Sequence, residues 1–230
     1  MSAEILLGYQ ATQSAIAAAC VEVERRPETV SLVVVSKTQE TGRIVPLLEA
    51  GHRVFGENRV QEAEEKWVHL KNQYPDTELH LIGPLQSNKT GDAVAIFDVI
   101  ETVDRDKIAA ALAVEMKKQN RWPKLFVQVN IGREWQKAGV NPEDLPDFLD
   151  RLRNNHGHQV AGLMCIPPVN DSPAKHFSRL RQLADIAGLT LLSMGMSSDF
   201  AVAIAEGATH VRVGSAIFGE RPKGGPGMAK

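Results

Sequence analysis

The sequence predicts an α/β protein, a single (β/α)8 TIM barrel with an extra N-terminal helix. Short apolar runs alternate with amphipathic stretches along its 230 residues, which is the pattern of βα units and a parallel sheet. Eight such runs can be counted, and polar or glycine-rich segments follow most of them, where this architecture keeps its functional loops. An open sheet with an extra edge strand is the architectural alternative.

The first element is a helix over residues 3–26, because Ile5, Leu6, Tyr9, Ala15, Ile16, Ala19 and Val23 recur on shared faces and Pro27 lies just beyond. Strands are read at 30–36, 53–56, 79–82, 98–101, 124–130, 159–164, 189–194 and 209–213. Between them helices begin near Thr41, Asn58, Asn88, Asp104, Asn141, Ser172 and Ser198, several introduced by a residue suited to capping. No change of composition marks a second domain. Residues 1–221 are read as one unit and 222–230, rich in Gly and Pro, as a flexible C-terminal tail.

Composition narrows the function classes. A formal charge of −2 and 5% aromatic residues leave neither a basic stripe nor a stacking platform for nucleic acid. No apolar run approaches a membrane span, and the start of the chain lacks the basic, then apolar, pattern of a signal peptide. A cytoplasmic protein with no membrane partner is expected. Cys20 and Cys165 belong to no metal-ligand or redox spacing, so no metal is expected.

The chemistry starts at Lys37, which closes the β-branched run Thr29-Val30-Ser31-Leu32-Val33-Val34-Val35-Ser36-Lys37. An ammonium at the end of a buried strand must reach water or serve chemistry, since burial without a partner is costly and lowers its pKa. Read alone, a lysine that snorkels into solvent is the plainer account. A neutral amine there would meet the need of imine formation with an aldehyde. Gly195-Met196-Ser197-Ser198 and Gly214-Ser215-Ala216-Ile217 put small residues and hydroxyls after strands seven and eight, where barrels often bind phosphate. Either loop alone reads as an ordinary capping turn. In His210-Val211-Arg212-Val213-Gly214, alternation places His210 and Arg212 on one face. A guanidinium inside a strand needs an acceptor, which could be a carboxylate such as Glu57 or the ring nitrogen of a bound heterocycle. Imine-forming lysine, phosphate cup and buried arginine together suit pyridoxal 5′-phosphate (PLP), with its aldehyde, phosphate and pyridine nitrogen.

The segments Val33-Val34-Val35-Ser36-Lys37-Thr38, Val54-Phe55-Gly56-Glu57-Asn58-Arg59-Val60-Gln61-Glu62, His80-Leu81-Ile82-Gly83-Pro84-Leu85-Gln86-Ser87-Asn88-Lys89, Gly162-Leu163-Met164, Leu192-Ser193-Met194-Gly195-Met196-Ser197 and Val211-Arg212-Val213-Gly214-Ser215-Ala216-Ile217-Phe218-Gly219 occur in order. With them the chain resembles the pyridoxal phosphate homeostasis protein family, whose fold is the alanine racemase N-terminal barrel. The resemblance implies that Lys37 holds PLP as an internal aldimine, that Ser197, Gly214 and Ser215 bind its phosphate, that Arg212 faces the pyridine nitrogen, and that Asn58 lies beside the ring. Ser215 stands where many members have threonine, which keeps the hydroxyl. Leu79 and Leu81 flank His80 where aromatic residues or methionine are common. His80 reads as a hydrogen-bonded core histidine and Lys89 as a solvated surface charge. Lys137 resembles a family lysine after strand five, and is either an aid to cofactor transfer or a solvated loop charge.

Arginine opposite a pyridine nitrogen donates a hydrogen bond without giving up a proton, which leaves the cofactor a weak electron sink. Racemisation also needs an acid or base on the opposite face, a tyrosine from another domain in the resembling racemases. The only tyrosines here are Tyr9 and Tyr74, neither at a predicted strand C-terminus. These residues argue against an efficient racemase; the function itself is what the resemblance implies, a non-enzymatic, monomeric carrier for intracellular PLP homeostasis with PLP-dependent apo-enzymes as its partners. A single-domain PLP-dependent amino-acid racemase is the alternative, and a barrel enzyme acting on another phosphorylated aldehyde is a third.

Overall fold

Each β-branched run forms a strand, and the strands close on themselves. A computed structural model describing residues 2–219 contains β1 (Ser31–Val35), β2 (Val54–Glu57), β3 (Glu78–Leu81), β4 (Val99–Val103), β5 (Lys124–Val129), β6 (Val160–Cys165), β7 (Leu191–Met196) and β8 (His210–Val213). All pair in parallel in chain order, and β8 pairs back onto β1 through Ser31↔His210, Leu32↔Val211, Val33↔Arg212 and Val34↔Val213. That last pairing makes a closed barrel and removes the open-sheet alternative. The helices are α1 (Ser2–Glu22), α2 (Thr41–Glu49), α3 (Val60–Gln73), α4 (Thr90–Ile96), α5 (Asp106–Gln119), α6 (Leu145–His156), α7 (Pro173–Ala187), α8 (Phe200–Ala205) and α9 (Ser215–Phe218).

The strands begin and end within two residues of the predicted limits, and so do the helix starts except that of α6, which begins at Leu145 rather than near Asn141; the end of α1 also differs. α1 stops at Glu22 rather than at residue 26. Glu24 takes a left-handed φ of 56°, and the Arg25 guanidinium leaves the helix axis to donate to the carbonyls of Ile204 and Ala208. The predicted side-chain caps do not form. The residues preceding α3, α5 and α6 are Arg59, Arg105 and Asp144, and even Ser172 before α7 makes no side-chain cap bond. The predicted end of the domain at residue 221 and the tail at 222–230 lie outside the described residues. No helix among the described residues is long and apolar enough to cross a membrane.

Two layers result. Between strands and helices lies a continuous apolar core that includes Phe55, Trp67, Phe97, Phe148 and Phe177, all buried. Fully burying a large apolar side chain of this kind is worth roughly 1.5–3 kcal/mol. Inside the barrel the apolar content is small: Val99, Phe126 and Met164 form a separate cluster, with polar residues completing the interior. Strand alternation sends His80, Glu101, Ser193, His210 and Arg212 inward, and the His210 ring packs against both Phe126 and His80.

Gly162 on β6 is required by this interior. A Cβ there would lie 2.2 Å from the Leu191 carbonyl oxygen and 2.7 Å from the Phe126 ring. Gly162→Ala is therefore expected to lower unfolding free energy by about 2 kcal/mol or more, read by urea denaturation, and an unchanged midpoint would refute the account.

His52, at the other end of the barrel, is buried between Tyr9 and Phe55. Its Nε2 donates to the Val54 carbonyl at 2.7 Å, and in the neutral ring Nδ1 accepts a hydrogen bond from the Tyr9 hydroxyl at 3.2 Å. Burial lowers its pKa from 6.5 to about 4. Within that window the unfolded chain binds a proton that the folded chain refuses. Stability is thus full above the window and falls as pH drops through it. Between pH 7.5 and 5 the wild type is expected to lose about 2 kcal/mol more than His52→Gln in urea denaturation. Parallel losses would show that His52 is not the source.

Candidate functional site

The C-terminal ends of the strands form one mouth, and the side chains around it come from both ends of the chain. β1 runs into a turn at Ser36–Thr38 in which Thr38 has a φ of 62° and Lys37 is half-buried. Hydrogen bonds and ion pairs hold this turn, all those of Glu57 falling on Oε1, while its buried Oε2 has no hydrogen-bond partner. The Ser36 amide donates to Gly56 at 3.0 Å, and its hydroxyl donates to Glu57 Oε1 at 2.8 Å. The Ser36 carbonyl accepts from the Lys66 ammonium at 2.9 Å, and the Thr38 amide donates to Glu62. Lys66 Nζ also meets Glu57 Oε1 at 2.7 Å and Glu62 Oε1 at 2.9 Å. Trp67 Nε1 adds a bond to Glu57 Oε1 at 3.0 Å.

Glu57 is fully buried, and burial pushes its carboxyl above the usual range despite the Lys66 ammonium and the hydrogen bonds from Lys66, Trp67 and Ser36. The result is a turn whose backbone is clamped to α3 immediately on both sides of Lys37.

The loops after β7 and β8 meet beside this turn. Gly195, at φ +91°, bends β7 toward α8, where a Cβ would strike Ala203 at 2.5 Å. The following turn is closed by the Met196 amide, which donates to Asp199 Oδ1 at 2.6 Å. After β8, Gly214 packs on Val35, the last residue of β1, at a spacing that would put a Cβ 3.1 Å from the Val35 carbonyl oxygen. Ser215 then opens α9 and donates from Oγ to Ser197 Oγ at 3.1 Å. α9 is seated from outside by α1, which approaches the Ala216 and Ile217 carbonyls at Gly8, and by Arg43, which donates to the Phe218 carbonyl.

Arg212 forms part of the floor. It is 4% exposed, donates from one amino group to Ser193 Oγ at 2.6 Å and from the other to the Cys165 carbonyl at 2.8 Å. Its nearest carboxylate is Glu101, at 3.9 Å. The carboxylate offered for it from the sequence, Glu57, is instead committed to Lys66. The reason is geometric: Glu57 ends β2 on the face toward α3, whereas Arg212 points into the barrel.

Lys37, Ser197, Arg212, Gly214 and Ser215 thus lie at the C-terminal ends of the adjacent strands β1, β7 and β8, and Asn58 lies half-buried in the bend after β2, its backbone against Gly83. Among the rivals, Lys89 pairs with Asp92 at 3.0 Å. Lys137 is held by Glu134 and by the Pro167 carbonyl at 3.2 Å, which bridges the loops after β5 and β6 at the rim. His80 is a fully buried, doubly hydrogen-bonded core histidine, as its sequence position indicated. Cys165 is buried in the core between strands and helices, where burial pushes its thiol up to about 12 and leaves it inert at neutral pH.

Lys66, Trp67, Glu101 and Ser193 were not visible as site residues from the sequence. The available signal was weak: a polar residue at an inward strand position, such as Glu101 or Ser193, becomes meaningful only once its neighbours are known.

Residues 12–222 match the family described as alanine racemase, N-terminal domain. The pyridoxal phosphate homeostasis protein of Haemophilus influenzae is 39% identical over 220 residues, which cover 91% of this chain and 92% of that protein. The protein of the same name from Pseudomonas aeruginosa is 42% identical over 207 residues, 88% of this chain and 89% of that one. The structure of PipY from Synechococcus elongatus with PLP bound is 39% identical and superposes with a TM-score of 0.76, covering 89% of this chain and all of that one (100%). With the same barrel and a match running from α1 past α9, the chain belongs to the alanine racemase N-terminal domain family, among the pyridoxal phosphate homeostasis proteins.

Proposed function

We propose that this protein binds PLP at the C-terminal mouth of the barrel and acts in intracellular PLP homeostasis as a carrier, with Lys37 as the covalent tether. The observation that carries the reading is the contact of Gly214 with Val35, two residues before Lys37, alongside the hydrogen bond of Ser215 to Ser197. It brings an amine, two hydroxyls and a short helix start to the same opening, with Arg212 beneath. These groups fit the three ends of the cofactor. When bound, PLP supplies an aldehyde carbon to which an amine can add with loss of water.

The residues divide the work. Lys37 offers the amine from a clamped turn. Ser197, Gly214 and Ser215 receive the phosphate, with hydroxyls and backbone amides as donors. Asn58 borders the ring. Arg212 donates to the pyridine nitrogen and, with a pKa far above neutrality, does not pass on its proton, which keeps the ring a poor electron sink. Both tyrosines of the chain sit away from the mouth. Tyr9 is held by His52 and Gln13, and Tyr74 at the end of α3 stacks under Arg53. This supports a carrier rather than the alternative of a PLP-dependent racemase, which needs an acid or base on the second face. A cytoplasmic monomer that delivers PLP to apo-enzymes completes the reading.

Incubation with PLP is expected to give a visible absorbance that borohydride fixes as a mass increase on the Lys37 peptide. Lys37→Ala is expected to lose it, and retention of a reducible adduct at the mouth of that variant would refute the tether. Measured transfer to an apo-enzyme in the presence of an aldehyde trap separates delivery from simple release, and substantial racemase turnover by the purified protein would favour the enzyme.

A further inference from the structure

The interior of the barrel carries a line of charge that binding at the mouth does not by itself require. At the N-terminal end Lys124 Nζ meets Glu78 Oε2 at 3.0 Å. Glu78 Oε1 lies 3.1 Å from His80 Nε2, and His80 Nδ1 lies 2.7 Å from Glu101 Oε1. The other oxygen, Glu101 Oε2, accepts from Ser193 Oγ at 2.6 Å, and the same Oγ accepts from Arg212 at 2.6 Å. Both nitrogens of His80 face carboxylates, which accept only, so both carry protons and the ring is an imidazolium. The signs therefore alternate from Lys124 through Glu78, His80 and Glu101 to Arg212.

Burial alone would lower the His80 pKa, but Glu101 and Glu78 more than offset it and raise the pKa above the ordinary value. The neighbouring His210 is lowered to about 4 by burial and stays neutral, so it adds no second positive charge.

Such a line is costly. Buried ion pairs are often no more stabilising than apolar side chains of similar size, and the centre of this one, His80 with Glu101, has no exposed atoms to speak of at 0% each. It ends on Arg212, the one buried arginine among the described residues. Glu101 acts on that arginine twice: directly at 3.9 Å, and through Ser193, which fixes the direction of one amino group.

We propose that Glu101, held by His80 and Glu78, is a positioning residue that aims Arg212 at the mouth and balances its charge, so that the floor selects a neutral heteroaromatic nitrogen as its acceptor. The inference rests on the PLP reading above. A guanidinium already facing a carboxylate retains its hydrogen-bond donors while offering little net attraction to a second anion. It therefore suits an unprotonated pyridine nitrogen better than a carboxylate.

The test compares apparent affinities of the full-length protein for PLP and for its 1-deaza analogue, in which C–H replaces the ring nitrogen and the aldehyde and phosphate remain. Wild type is expected to prefer PLP. Glu101→Gln and Ser193→Ala are each expected to shrink that preference by about 10-fold while changing affinity for the deaza analogue by less than about 3-fold. Ser193→Ala leaves every charge in place, so it decides the matter if Glu101→Gln folds poorly. Equal weakening toward both ligands, or an unchanged preference in Ser193→Ala, would overturn the positioning role while leaving PLP binding intact. A wild-type protein that binds PLP and the deaza analogue equally would overturn this inference, and one that forms no adduct on Lys37 would overturn the underlying reading as well.

Discussion

The pairing of β1 with β8 is the constraint on which the site depends. Four residue pairs join the first strand to the last, and they set the turn after β1 beside the loop after β8. Without that seam, Lys37 and Ser215 would belong to distant parts of an open sheet. The seam is reinforced from outside. α1 packs on α9, α8 and α2, with Gly8 admitting the Ala216 and Ile217 backbone and Arg25 bonding the Ile204 and Ala208 carbonyls. The extra N-terminal helix is thus a clasp across the point where the ring closes.

Two buried glutamates near the mouth show how placement sets charge. Burial pushes both up. At Glu57, the Lys66 ammonium and three hydrogen-bond donors fail to reverse this, whereas at Glu101 the His80 imidazolium, Arg212 and Ser193 hold the carboxyl below its ordinary value. One carboxyl serves a backbone turn. The other serves a side chain, and its full charge is what a nearby guanidinium requires.

Much of this was legible in the sequence, for reasons that can be named. The run Val33-Val34-Val35 and its counterparts are short, largely apolar and separated by polar stretches, so strand limits followed within two positions. That Lys37, Ser197, Arg212 and Ser215 lie at the C-terminal end of the barrel was legible because each stands next to the end of a predicted strand. The end of α1 was not, since it is decided by Arg25 reaching the distant carbonyls of Ile204 and Ala208. The start of α6 was misplaced by four residues, from Asn141 to Leu145, where no capping side chain marks the beginning of the helix. The partner of Arg212 was illegible for a deeper reason. Choosing between Glu57 and Glu101 requires knowing which face of each strand turns inward: Glu57 ends β2 facing α3, whereas Arg212 on β8 faces into the barrel.

The clamp of the Ser36–Thr38 turn onto α3 has a further consequence. Releasing that backbone means breaking the Lys66 bond to the Ser36 carbonyl, the Glu62 bond to the Thr38 amide and the Ser36 bond to Glu57 together. The turn therefore opens as part of one cooperative unit with α3 instead of fluctuating as a surface loop. The entropy of locating the Lys37 backbone is lost once, during folding, and a small ligand arriving at the mouth finds it preorganised. A weakly held metabolite can then be retained by a short list of contacts, because almost none of their free energy goes into ordering the chain that makes them.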